Sequence, residues 1–219
     1  FEKSKRLFKN VKVITLYDEE ATKENVLLKL DEIAQNSKQE DVFIFYYAGH
    51  GCVVDNRYYF VTAENIKLYN REKLDKHAIY EGELQEKLKN IKALKQLLVM
   101  DACQSGAVTE FLAMRGAAEE KALSQLARST GVHILASSGS SQFAAEFQKL
   151  GHGVFTYVLL KALEGAADGS PKDGKVTINE LKSYAEDQVP ELAEQYKGEA
   201  QYPTTFSKGQ DFPLILTKD

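Results

Sequence analysis

The chain has 219 residues, of which 43% are hydrophobic and 27% charged, and its formal net charge is −4. This length and composition fit one soluble α/β domain with a sizeable core. The slightly acidic balance without a basic block excludes a nucleic-acid partner, and no apolar run approaches the ~18 residues that a membrane helix needs. Two cysteines are too few for a disulfide framework or a metal cluster, which favours a reducing, cytoplasmic location and predicts no metal site.

The predicted elements alternate between strands and helices along the chain, as in α/β folds. Apolar runs predict strands at residues 11–18, 42–47, 58–62, 96–102, 132–138 and 211–217. Helical periodicity and capping signals predict helices at 22–36, 81–91, 119–127 and 155–163 and from 177 onward. We expect Thr22 and Thr177 to cap the first and last of these helices, and Pro190 to interrupt or kink the last. Residues 52–57, 64–79 and 201–210 are predicted to be loops.

Two of the predicted strands end in residues that carry chemistry. DVFIFYYAGHG ends with His50 between two glycines, and LLVMDACQSG places Cys103 in the same way. Because parallel strands present ligands beyond their carboxyl ends, the two side chains are expected at one edge of one sheet. An imidazole beside a thiol takes its proton or stabilises the thiolate, which speeds attack on a carbonyl. The backbone N–H groups of Gly51 and Cys103 are candidates for an oxyanion hole.

The pairing of YYAGHG with DACQSG resembles the caspase-type cysteine peptidases. Their signature is Q-A-C-[RQG]-G with the histidine about 50 residues upstream. Here Asp101 stands in place of the glutamine, and Ser105 separates Gln104 from the glycine. This D-x-C-x-S-G variant resembles metacaspases, paracaspases and their bacterial relatives, the orthocaspases. The later segment HILASSGSSQFAAEF…GHGVFTYVLLKALEG is similar to the small-subunit half of the bacterial members.

The resemblance implies a caspase-like three-layer α/β/α sandwich with a mostly parallel central sheet. It divides the domain into a large-subunit-like half at 1–106 with the catalytic dyad, an inter-half segment at 107–130, and a small-subunit-like half at 131–219. Caspase-type domains have a first strand that is missing from this chain, so an N-terminal remainder or a second chain is expected to complete the sheet. The inter-half segment is often cut during activation in the family, which makes Arg115 and Arg128 candidate self-processing sites.

Asp101 indicates which substrate the resemblance implies. It lies two residues before Cys103, so strand alternation puts both side chains on one face. The matching acid of metacaspase-like enzymes lines the S1 pocket, where a carboxylate pairs with Arg or Lys. The alternative is that Asp101 only caps backbone N–H groups at the strand end. Ser137 and Ser138 lie where the family receives the extended substrate, although they also fit a plain Gly/Ser loop.

The sequence therefore predicts a cysteine endopeptidase that cleaves a protein or peptide after Arg or Lys through an acyl-enzyme, with no cofactor required. Calcium dependence is frequent among metacaspases, but we map no calcium site here. The segment ADGSPKDGKVTINE resembles an EF-hand and lacks carboxylates at the first two ligand positions. Two alternatives stay open. One is a catalytically silent caspase-like scaffold or signalling module, and the other is a cysteine hydrolase of the same clan of the legumain, gingipain or separase type.

Overall fold

A computed structural model describes residues 6–55, 57–64, 70–104, 112–137, 153–169, 171–198 and 200–217. Within these ranges only the backbone is described for residues 103, 104, 112–118 and 197.

The described residues form six α-helices and eight strands. The helices are α1 (Lys23–Asn36), α2 (Arg71–His77), α3 (Glu81–Asn90), α4 (Leu112–Thr130), α5 (Val154–Lys161) and α6 (Ile178–Lys197). The strands are β1 (Val42–Val54), β2 (Arg57–Val61), β3 (Ile79–Tyr80), β4 (Lys95–Gln104), β5 (His133–Ala136), β6 (Lys175–Thr177), β7 (Thr204–Phe206) and β8 (Pro213–Leu216).

The chain divides into two compact units. The sheet unit comprises the described residues of Leu16–Phe143 and Phe206–Gly209. The helical unit comprises those of Phe1–Thr15, Ala144–Thr205 and Gln210–Asp219. This division follows contacts within the fold and does not test the predicted large- and small-subunit-like halves, which stay a prediction.

The sheet has the strand order β3-β2-β1-β4-β5-β7 in the described part of the chain. Its three central strands are parallel, because β4 lies between β1 and β5 and runs the same way as both. β2 folds back on β1 as an antiparallel hairpin whose turn contains Asp55 at φ 50°. Asp tolerates this left-handed conformation better than most residues. The hairpin therefore extends β1 well beyond the end of the predicted strand.

One face of the sheet carries the main core of this unit. Alternate residues of β1, β2, β4 and β5 point into it, and helices α1, α3 and α4 supply the opposing side chains. Its buried members include Phe43, Tyr58, Phe60, Leu98, Met100 and Ile134 from the strands and Leu30, Leu84, Leu88, Leu123 and Leu126 from the helices. The predicted stripe of the first helix is confirmed, since α1 begins after the Thr22 cap and buries Leu30 and Ala34.

The opposite face of the hairpin is covered by α2. Tyr59 of β2 is buried there against Leu74 and Ala78, and Cys52 and Tyr80 pack on them. Helices thus lie on both faces of a sheet whose central strands are parallel. The predicted three-layer α/β/α arrangement is confirmed in this unit.

The helical unit contains α5, α6 and the antiparallel pair β6–β8. The predicted capping box of α6 is confirmed: Thr177 accepts from the Glu180 N–H, and Glu180 accepts from the Thr177 N–H. Pro190 lies inside α6, and the helix continues through it. Asp168 is buried and accepts from the N–H groups of Asp173 and Gly174, so this acid organises the EF-hand-like loop.

Several predicted elements are wrong. Residues 11–17 form no strand, and Asp18–Glu20 forms a short 3-10 helix. Residues 52–54 belong to β1 rather than to a loop. The segment predicted as a loop at 64–79 contains α2 and the first of the two residues of β3, and β7 lies in the loop predicted at 201–210. The elements α2, β3 and β7 are each too short to show a sequence period, and each is stabilised by pairing or packing with a neighbour.

Candidate active site

His50 and Cys103 occupy the same rung of the sheet. In the parallel register of β1 and β4, His50 pairs with Cys103. Neighbouring strands lie about 4.8 Å apart, so the backbones of the two residues lie side by side on adjacent strands. The His50 side chain is exposed, whereas the Cys103 side chain lies outside the described residues. The two residues are therefore paired at the level of the backbone, although β1 continues beyond His50.

Asp101 pairs with Ala48, and both residues lie two positions before the His50–Cys103 pair on their strands. Its neighbours Met100 and Ala102 are buried, and Met100 belongs to the main core. By strand alternation Asp101 faces the other side of the sheet, as His50 does. Asp101 is half-buried, so it retains contact with solvent on the face that also carries His50. Its predicted role in substrate binding stays a prediction.

Tyr47 folds back along its own strand and holds the backbone of His50. Its hydroxyl lies 2.6 Å from the carbonyl oxygen of His50 and 2.7 Å from that of Val61. The ring crosses Gly49, where an added Cβ would lie 2.8 Å from the hydroxyl oxygen. Gly49 is thus required by the packing of Tyr47, because any side chain there would displace the ring.

Gly51 is required by a second tyrosine. An added Cβ at Gly51 would lie 2.5 Å from Cζ of Tyr58, a residue that is only 1% exposed. The Tyr58 hydroxyl bonds the side chain of Glu119 on α4. Burial, followed by the charge of Glu119, raises the pKa of Tyr58 well above its ordinary value. The two glycines of the AGHG motif therefore accommodate two aromatic rings beneath the histidine.

The oxyanion role of Gly51 was predicted for a strand end, but the residue lies between two strands. It pairs with Phe60 of β2 and Gln104 of β4, and it is buried. The direction of its N–H is set by this double pairing. Its role and that of the Cys103 N–H stay predictions.

The remaining predicted site residues are spread over several elements. Ser137 follows β5, is 3% exposed and donates its N–H to the Met100 carbonyl, 2.8 Å away. Ser138 lies outside the described residues. Arg115 and Arg128 both lie in α4, and Arg128 donates from Nε and a terminal nitrogen to Ser124 Oγ, at 3.0 and 2.6 Å.

No cluster of three or more His, Cys, Asp or Glu side chains suited to a metal ion occurs in the described parts of the chain. Among these same residues, no helix has the length and apolar character needed to cross a membrane.

The sequence predicted His50, Cys103 and Asp101 as site residues and gave no indication of the contacts that Tyr47, Tyr58 and Glu119 make. The two tyrosines are visible in the sequence as parts of apolar runs, which indicates only burial. Their contacts depend on how each ring folds over a glycine of β1, and the sequence carries no signal for Glu119 beyond its place on a helix.

Comparisons with known proteins agree with this architecture. The family model described as the caspase domain, a peptidase family, matches residues 2–213. A search of curated proteins found no match. The crystal structure of protein GSU0716 from Geobacter sulfurreducens is similar with a TM-score of 0.54 at 17% sequence identity, covering 90% of this chain and 77% of that one. This likeness shows the fold alone.

The sheet, with histidine and cysteine on adjacent parallel strands, has the architecture of a caspase-like α/β protein. Because the family model spans nearly the whole sequence, the chain belongs to the caspase-domain family of cysteine peptidases.

Proposed function

We propose that this chain is a cysteine endopeptidase that cleaves after Arg or Lys, with Cys103 as nucleophile and His50 as general base and acid. The observation that carries the proposal is the pairing of these two residues on adjacent parallel strands. A scaffold or signalling module has no need of a thiol and an imidazole on one rung. The family membership supports peptidase chemistry in general.

The reaction proceeds in two steps. His50 takes the proton of the Cys103 thiol, and the thiolate sulfur bonds the substrate carbonyl carbon while the C=O electron pair moves to the oxygen. The N–H groups of Gly51 and Cys103 stabilise the resulting oxyanion. The C–N bond then breaks, and His50 gives a proton to the leaving amine. In the second step His50 takes a proton from water, and the hydroxide displaces sulfur from the thioester. This chemistry needs no metal or cofactor of its own.

Specificity for a basic residue rests on Asp101. Its position on the same face as His50 and its half-buried state suit a carboxylate that receives a positively charged side chain. A guanidinium binds a carboxylate through two parallel hydrogen bonds, so cleavage after Arg is expected to be faster than cleavage after Lys. A substrate with Asp before the cut would place two carboxylates together and would be rejected.

The partners follow from the same proposal. The substrate is a protein or peptide with Arg or Lys before the cut. Self-processing at Arg115 or Arg128 requires local opening of α4, because a protease binds its substrate in an extended form.

The test is turnover of a fluorogenic peptide ending in Arg, compared with its Lys and Asp counterparts. The wild-type protein should cleave the Arg and Lys peptides. Cys103→Ala and His50→Ala should reduce kcat by at least about 10³-fold, as expected when one member of a catalytic pair is removed. Cys52→Ala is the matched control, since it removes the other cysteine of the chain, and should keep full activity. Absence of turnover and of Cys103 labelling by an Arg-based electrophile would instead favour the silent module.

A further inference from the structure

The Tyr47 hydroxyl bridges two backbone carbonyls at the first rung of the hairpin. His50 and Val61 face each other across β1 and β2, and their carbonyl oxygens lie 2.6 and 2.7 Å from this one hydroxyl. A phenol carries a single proton, so both acceptors share it. Tyr47, three residues before His50 in the same strand, thus links the backbones of β1 and β2 at this residue pair.

Two neighbours fix the Tyr47 ring in this position. Phe60 meets it edge to face, with ring centroids 5.3 Å apart. Gly49 lies under the ring, where a side chain with a Cβ would collide with Tyr47. Burial is the main reason that the pKa of Tyr47 lies well above its ordinary value, so the hydroxyl keeps its proton throughout the range in which proteins are active.

The bond to the His50 carbonyl also sets the direction of a neighbouring donor. The carbonyl of His50 and the N–H of Gly51 belong to one planar peptide unit, in which they point in opposite directions. Holding the carbonyl on Tyr47 therefore acts together with the strand pairing of Gly51 to fix where the Gly51 N–H points. It also fixes the backbone from which the His50 imidazole projects.

We infer that Tyr47 is a positioning residue that orients the His50–Gly51 peptide, and with it both the imidazole and the oxyanion donor of the active site. This inference rests on the proposed function. Tyr47 has no need to touch the substrate, because it acts through the peptide unit. Removal of the Tyr47 hydroxyl should therefore raise the free energy of the transition state, in which negative charge forms on the oxygen, more than it weakens substrate binding.

The test compares Tyr47→Phe with Tyr59→Phe on the fluorogenic Arg peptide. Tyr59 is a matched control because it belongs to the same hairpin and its hydroxyl donates to Asp75 of α2, 2.6 Å away, rather than to the His50 backbone. Tyr47→Phe should lower kcat on the order of 10- to 100-fold with KM unchanged, since small misplacements of catalytic groups cost this much. Tyr59→Phe should leave both constants within twofold.

A peptidyl-arginal inhibitor sharpens this comparison. It adds to the cysteine sulfur and forms an oxyanion-like adduct, so its affinity for Tyr47→Phe should fall by the same factor as kcat. Gly49→Ala, which displaces the ring and keeps the hydroxyl, should reproduce both losses and add little to Tyr47→Phe. Equal kcat values in Tyr47→Phe and wild type, or a loss confined to KM, would overturn the inference.

An independent measurement separates this inference from the proposed function. In NMR spectra, Tyr47→Phe should shift the Gly51 amide and His50 ring resonances, whereas Tyr59→Phe should leave them in place. If the wild-type protein hydrolyses no peptide, the proposed function fails, and these shifts still decide whether Tyr47 positions the peptide. Unmoved resonances would refute the role of Tyr47 whatever the activity.

Discussion

The ring of Tyr58 occupies the space that a side chain at Gly51 would need. Tyr58 belongs to β2 and is almost fully buried, and its ring packs edge to face against Phe60 with centroids 4.9 Å apart. The residue that follows the histidine therefore has to be glycine for packing reasons, whatever its N–H does in catalysis.

We expect Gly51→Ala to destabilise the fold and to reduce activity. An added methyl group would lie 2.5 Å from Cζ of Tyr58, so either the ring or β1 must move. Overpacking of this kind costs about 1–3 kcal/mol in the free energy of unfolding. Urea denaturation measures the cost. Gly169→Ala is the control, because an added Cβ there would meet its nearest atoms, Glu180 Oε1 and the Ala167 carbonyl oxygen, at the ordinary contact distances of 3.4 and 3.8 Å. Similar losses in both variants would contradict this account.

The hydrogen bond from Tyr58 to Glu119 should also stabilise the native state. Tyr58→Phe removes the donor next to a carboxylate that is only 8% exposed. Depriving a buried acceptor of one of its donors costs about 1–3 kcal/mol. Urea denaturation should show this loss for Tyr58→Phe and a change within about 0.5 kcal/mol for Tyr202→Phe, which lies at an exposed position. Equal stabilities of the two variants would rule out an energetic role for the pair.

The sequence predicted α1 and α6 well because each of these helices carries its own signal. The stripe and cap of α1, and the capping box of α6, depend on residues a few positions apart. The rung of His50 and Cys103 was predictable too, since each residue follows an apolar run of the kind that forms a buried parallel strand.

What the sequence could not show depends on contacts between distant segments. Residues 11–17 have strand-forming composition, yet they form no strand, because a strand exists only through its partner. Glycines on both sides of His50 suggested a strand end, whereas they make room for Tyr47 and Tyr58 while β1 continues to Val54. Helix α2 buries one leucine, Leu74, and so shows no period.

Asp101 should decide specificity for the residue before the cut. Asp101→Ala removes the carboxylate expected to bind a guanidinium, and kcat/KM for an Arg peptide should fall on the order of 10²-fold or more. A peptide with a neutral residue at that position should be cleaved no worse than by the wild type. Asp31→Asn is the control, since this acid of α1 pairs with Lys87 of α3, and both helices cover the face of the sheet opposite Asp101. Undiminished cleavage after Arg by the alanine variant would refute the assignment.

Tyr59 should make stability depend on alkaline pH. Burial, followed by its hydrogen bond to Asp75, raises the pKa of Tyr59 from 10.0 to about 12. Because the raised pKa belongs to the folded state, the contribution to stability is complete below pH 10 and is lost as the pH rises toward 12. The difference in urea midpoint between wild type and Tyr59→Phe should therefore shrink over this interval, and the contributions of other tyrosines cancel in it. Parallel curves would show that Tyr59 titrates alike in both states.

Cleavage after Arg128 should depend on the opening of α4. Arg128 lies in the last turns of this helix, where its guanidinium bonds Ser124 Oγ and the neighbouring Ala127 is buried. A protease needs extended backbone, so the folded segment should resist cutting. Intact-mass analysis should find wild-type protein uncut after Arg128, while Ser124→Gly, which weakens the helix by about 0.5 kcal/mol and removes both bonds, should become cut. Adding Cys103→Ala should abolish the new cut. A wild-type protein cut after Arg128 as readily as the glycine variant would show that α4 offers no protection.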